Sequence, residues 1–185
     1  MVKRIAVALV AAMVVAGAAG AQEKFLINAG IGYGFLPYKM SLPPISASVE
    51  YMLDSIPLSI GGYFGMTGYK EDATKLVSYK ASMVGFGAKG SWHFGFGPEK
   101  LDPYAGLVLG WLVYNQEVTT TVPEVKAGGI VITKETTTTA KNNLSTFLYG
   151  INVGARYFFT NNIGAYLELG YSAVSVASVG LAVKF

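Results

Sequence analysis

Residues 146–159 alternate without a break. Phe147, Tyr149, Ile151, Val153, Ala155, Tyr157 and Phe159 form one set; Thr146, Leu148, Gly150, Asn152, Gly154, Arg156 and Phe158 form the other. A period of two is the period of a β-strand, whose successive side chains point to opposite faces. The same division recurs in eight segments, near 24–35, 45–54, 57–67, 81–94, 103–118, 144–159, 163–172 and 176–185, with turn residues between them. One parity is apolar throughout: Phe25 to Phe35, Ala47 to Leu53, Leu58 to Met66, Val84 to Phe94, Ala105 to Val113, Phe147 to Phe159, Ile163 to Tyr171 and Ala177 to Phe185, in steps of two. A sheet that is greasy outside and polar inside reverses a soluble, lipocalin-like barrel, and only a lipid bilayer rewards it. The predicted fold is all-β: an eight-stranded antiparallel up-and-down transmembrane β-barrel.

The opposite parity carries Asn28, Glu50, Lys89, His93, Asn152, Arg156, Glu168 and Lys184, together with most of the strand glycines. The lumen of an eight-stranded barrel is only wide enough for side chains to fill. Glycines on one wall therefore make room for Tyr63, Tyr104, Tyr114 and Tyr166 on another. Counted from the turns, Glu50, Lys89, Arg156 and Glu168 fall in one interior layer, with Arg156 and Glu168 facing each other across the 160–163 turn and Lys184 nearer the exit. Two carboxylates against two cations is the balance that burial demands. A structural plug is the reading preferred for this interior charge network; a gate or ion path is its rival.

The connections differ in length. Those at 54–57 and 160–163 are tight, whereas 36–44, 68–80 and 119–143 are long, which puts the tight turns and the termini in the periplasm and the long loops outside the cell. Two connections fit this less well: 95–102 is long for a periplasmic turn and 173–175 short for an outer loop. The longest loop has β-branched arms, Val118 to Val122 and Ile130 and Ile132 through Thr139, around a turn at Lys126, Ala127, Gly128 and Gly129. Strands five and six are thus expected to continue beyond the membrane as a protruding hairpin, with edges to which another chain can add a strand. A loop without a ligand is the plainer reading of the same residues.

Composition changes this picture at the N-terminus. Lys3 and Arg4, the apolar run Ile5 to Ala18 and then Ala19-Gly20-Ala21 read as a signal peptide over 1–21, leaving 22–185 as the barrel domain. The chain has 14 basic and 11 acidic residues. Two of the basic ones lie in that leader, so the mature chain is nearly neutral and no nucleic-acid partner is implied. There is no cysteine, and neither a cofactor nor a metal cluster is indicated. Gly85 to Gly90 matches a dinucleotide-binding string, but strand alternation runs through it where a helix would be needed. Asn143-Leu144-Ser145 reads as a glycosylation triplet of no evident use here. His93 is the single histidine, and no serine and acid to complete a catalytic set are identifiable, so no enzyme is expected.

The leader, the strand count, the hairpin from Gly154 to Tyr166 and the ending Ala177 to Phe185 together resemble the small eight-stranded outer-membrane barrels that include OmpX and the OmpA transmembrane domain. The resemblance implies location in the bacterial outer membrane, a monomer in contact with outer-membrane lipid, and a C-terminal signal for the barrel-assembly machinery in Val179, Leu181, Val183 and Phe185. It implies little about function, because that family spans anchors, adhesins, narrow pores and a few enzymes. A surface binding, adhesion or membrane-structural protein with a filled interior is expected. Its outer hairpin, Val118, Val122, Lys126, Gly128, Gly129, Ile130 and Ile132, would meet an extracellular protein ligand. The alternative is a narrow channel for small or hydrophobic solutes.

Overall fold

The computed structural model describes residues 24–34, 40–74, 76–127, 130–172 and 174–185. The expected leader at 1–21, Phe35, Gly128, Gly129 and Ala173 lie outside the described residues. Among the described residues there are ten strands: β1 (Phe25–Tyr33), β2 (Met40–Met52), β3 (Leu58–Thr74), β4 (Val77–His93), β5 (Leu101–Val122), β6 (Val125–Ala127), β7 (Ile130–Thr133), β8 (Thr136–Phe158), β9 (Ile163–Ser172) and β10 (Ser175–Lys184). Eight of them close a barrel in the order β1-β10-β9-β8-β5-β4-β3-β2, while β6 and β7 pair as a small ribbon at the tip of the β5–β8 hairpin. Among the described residues no helix is long and apolar enough to cross a membrane.

Every neighbouring pair in the ring is antiparallel, and all but one join elements consecutive within the barrel. The exception is the seam, where Leu26 pairs with Lys184 and Tyr33 with Ala177. The alternation expected from sequence holds on both faces. Ile31, Tyr33, Trp111, Phe147, Tyr149, Ile151, Leu167 and Leu181 stand exposed on the outside, while Glu50, Lys89, Asn152, Arg156 and Glu168 are buried within.

The glycines behave as the tyrosines require. Gly154 faces Tyr104 in register, and a Cβ there would lie 2.6 Å from the Tyr104 ring. Two apolar clusters fill the ends of the lumen. Tyr63, Tyr69, Met83, Val108, Leu148 and Val174 close the loop end, and Leu26, Phe158, Tyr166 and Ala182 close the end that carries the termini.

Several boundaries differ from the sequence expectation. The stretch 68–80 is not a long loop: β3 runs to Thr74 and β4 starts at Val77, with Lys70 opposite Lys80 and Glu71 opposite Tyr79. Above the apolar band neither face of a strand has to be greasy, so the periodic signal fades although the ladder continues. Similarly, β2 begins at Met40 and not after residue 44. Pro43 and Pro44 read as loop residues, yet they sit where the β2–β3 register shifts, a place in a sheet that tolerates proline. The 119–143 segment does continue strands five and six, as β5 and β8, to Val122 opposite Thr136. The 95–102 connection shortens because β5 begins at Leu101.

Candidate functional site

Two regions of this frame carry chemistry: the charged layer inside the barrel, and the sheet that extends past it.

The layer centres on Arg156 in β8, which is fully buried. Its guanidinium donates from Nη2 to Glu50 Oε1 at 3.0 Å, from Nη1 to Asp102 Oδ2 at 2.8 Å and from Nε to Asn28 Oδ1 at 3.1 Å. The planar fork serves strands β1, β2 and β5 at once, and its flat face lies 4.0 Å from the centroid of the Tyr104 ring. Glu50, in turn, accepts from Ser48 at 3.1 Å, from Ser59 at 2.8 Å and from Ser91. Lys89 in β4 donates to Glu168 Oε2 at 2.7 Å, to which Tyr104 also donates at 3.0 Å. A buried carboxylate left unpaired is costly, and here each has at least two donors.

The sequence placed Glu50, Lys89, Arg156 and Glu168 in one layer, and the structure brings them together. The detail of the Arg156–Glu168 pairing is different. The turn is centred on Asn161, so Arg156 faces Tyr166 and Glu168 faces Gly154. Glu168 is therefore offset by two residues and takes Lys89 as its partner. Lys184 lies over the Phe158 ring, 5.3 Å from its centroid, near the end that carries the termini.

Asp102 escaped the sequence reading because it precedes Pro103 and looks like a turn residue, whereas it opens β5. His93 has different partners from those expected of a lone imidazole. Its Nδ1 lies 2.7 Å from Asp102 Oδ1 and its Nε2 2.9 Å from Ser59 Oγ. A serine, histidine and aspartate are thus in line after all, on β3, β4 and β5, which correct register alone could reveal. Their surroundings do not suit acyl transfer. Ser59 is fully buried and its hydroxyl donates to Glu50. Elsewhere in the layer, a cavity lined by Asn28, Ser46, Ser48, Tyr63, Lys89, Tyr166 and Glu168, and by none of Ser59, His93 and Asp102, is about 10 Å³, room for one water at most.

Beyond the lumen, β3, β4, β5 and β8 run on as a four-stranded sheet. Its convex face turns from apolar to polar along one rung, on which Lys70, Lys80, Glu117 and Lys141 are successive cross-strand neighbours. Lys141 Nζ lies 2.8 Å from Glu117 Oε1, and both side chains are exposed. Its hydrogen bond and charge hold the Glu117 carboxyl below the usual carboxylate range and raise the Lys141 ammonium above its own. Farther out, Thr119 meets Thr139 and Thr121 meets Thr137, each pair with hydroxyls 3.3 Å apart.

Of the expected hairpin residues, Val118 pairs with Ala140 and Val122 with Thr136. Lys126, Ile130 and Ile132 lie in the tip ribbon, with Lys126 opposite Val131. The β8–β9 pairing begins only at Ile151, opposite Tyr171. Residues 136–150 of β8 are therefore paired with β5 on one side and with no described strand on the other. In the terminal strand Val179 and Leu181 point outward and are exposed, while Val183 and Phe185 are half-buried.

A family model described as "Outer membrane protein beta-barrel domain" matches residues 5–185. No curated protein sequence matches the chain. Among solved structures, the N-terminal β-barrel domain of Pseudomonas aeruginosa OprF is 16% identical, aligning over 90% of this chain and 100% of that one with a TM-score of 0.49. Ail, the attachment invasion locus protein of Yersinia pestis, is 13% identical over 87% of this chain and 95% of that one, TM-score 0.49. Neisserial surface protein A is 15% identical over 90% and 99%, TM-score 0.45.

Proposed function

The chain belongs to the outer membrane protein beta-barrel domain family, and from that premise we propose a monomeric protein of the bacterial outer membrane that binds or adheres at the cell surface. The termini face the periplasm and the extended sheet faces outward. The observation that carries this reading is the unpaired β8 edge from the polar rung outward, residues 136–141, a row of backbone donors and acceptors with strand geometry and no described partner. An extended segment of another protein gains main-chain hydrogen bonds by adding to such an edge. The threonine ladder behind it gives the strand a polar face and keeps it from needing a greasy cover.

The interior has a supporting task in this scheme. It is held by ion pairs and apolar clusters from end to end, and it stiffens the base from which the sheet projects. The lumenal packing argues against the alternative of a narrow channel. The terminal strand, with Val179, Leu181, Val183 and Phe185, is the segment offered to the assembly machinery, and outer-membrane lipid covers the apolar band.

Removing residues 119–141 and rejoining β5 to β8 by a tight turn tests the proposal. Cells displaying the shortened chain should lose attachment to protein-coated surfaces, while the barrel keeps its heat-modifiable gel mobility. Attachment that survives the deletion sinks the assignment.

A further inference from the structure

The concave face of the extended sheet holds a cleft of about 240 Å³. Three rungs build it. The middle one runs Tyr69, Ala81, Gln116; Glu71 and Tyr79 form the rung farther out, and Tyr114 sits on the rung nearer the lumen. Ala81 is the reason the space exists, since its neighbours on every side are larger. Tyr69 is buried and reaches across the barrel to Gly34, so its ring is a floor that separates the cleft from the plugged interior. Tyr79 and Tyr114 are the walls.

The one carboxylate on this face of the cleft, Glu71, has no cation or hydrogen-bond partner among the described residues. Lys80 also borders the cleft, but by strand parity its side chain leaves from the convex face, where it neighbours Glu117. An exposed carboxylate with no partner among the described residues, set beside several electron-rich rings, is complementary to a cation with an apolar coat. Aromatic faces attract such a cation through their quadrupoles, and methylation lowers the cost of stripping its water. A neutral sugar ring would use the aromatic faces yet leave the charge of Glu71 without a partner. The cleft is also smaller than the ~300–1,000 Å³ pockets that enclose a whole drug-sized ligand. It suits a single headgroup.

We propose that Glu71, Tyr69, Tyr79 and Tyr114 form a binding site for a methylated ammonium head of the choline type, presented to the outer mouth of the barrel. The site deepens the surface-binding reading and rests on the extended sheet lying outside the bilayer. It makes no use of the β8 edge, so its failure leaves the attachment experiment unaffected.

The test uses the full chain extracted folded in a polyoxyethylene detergent, which carries no ammonium group. Equilibrium dialysis with labelled choline should show saturable binding of one equivalent, and the neutral isostere 3,3-dimethylbutanol should bind at least ~10-fold more weakly. Albumin bearing phosphocholine, read beside free choline, tells a head carried on a larger molecule from a free one, and retention of either supports the site. Glu71→Gln and Tyr79→Ala should each weaken choline binding by about 10-fold while gel mobility and far-ultraviolet dichroism stay unchanged. Binding that is absent, equal for the neutral isostere, indifferent to both substitutions, or replaced by binding of a neutral disaccharide overturns the proposal.

Discussion

Arg156 is the residue on which the interior depends most, because three strands send it an acceptor. Removing it leaves buried Glu50 with only the more distant Lys89, 3.8 Å away, as a cation, half-buried Asp102 with only His93, and Asn28 without its donor. Arg156→Ala should destabilise the barrel by about 3–5 kcal/mol in urea unfolding from lipid vesicles. Arg156→Lys should recover only a fraction, since a point charge cannot reach three acceptors set by a planar fork. A rise in conductance at unchanged stability would instead identify the layer as a gate. Gly154 is critical for the opposite reason, its lack of a side chain. Gly154→Val would drive two methyl groups into the Tyr104 ring and should cost about 1–3 kcal/mol in the same measurement. The residues of this layer were largely legible in the sequence, because a charge on the inward parity of a membrane strand has nowhere else to go. Asp102 and Ser59 were not. One sits at a strand start beside a proline, the other looks like any small polar residue, and only register brings either to His93.

At the scale of elements, the strands are most legible where they face lipid and least where they leave it. The run from Phe147 to Phe159 announces itself, yet the outer parts of β3 and β4 carry Lys70, Glu71, Asp72 and Lys80 and resemble a loop. Their existence as strands comes from pairing with their neighbours, which a single segment does not record. The exposed Glu117–Lys141 pair gives this outer ladder a pH response of definite sign. The Glu117 pKa is depressed on folding, so its contribution is present above 4.5 and disappears as pH falls through the lower folded value. The Lys141 pKa is raised, so its contribution is present below 10.5 and disappears as pH rises through the higher folded value. Amide protection factors for 117–122 and 136–141, corrected for intrinsic exchange rates, should therefore drop at acid pH before those of the barrel do. Equal loss in both regions would remove this pair from the account.

For the whole molecule, the packed lumen makes a direct statement about transport. Liposomes containing the chain should release small solutes no faster than protein-free liposomes, which would leave the outer sheet as the part that acts on other molecules. Reproducible, size-limited release would turn the interior charges into a filter. The ring also has an asymmetry in time as well as in space. Seven of its eight joints connect strands that follow one another around the barrel, so each forms by local closure. The eighth brings Phe25 to Phe185, which exchange backbone hydrogen bonds of 2.9 Å in both directions. Joining those residues first would close nearly the whole described chain into one loop, whereas joining them after the other strands are paired closes almost none. The seam is therefore the last joint to form, and until it does, both β1 and β10 are open edges in a half-made sheet. Substitutions along Ile27, Ala29, Val179 and Leu181 should accordingly act on the speed of unfolding far more than on the speed of folding.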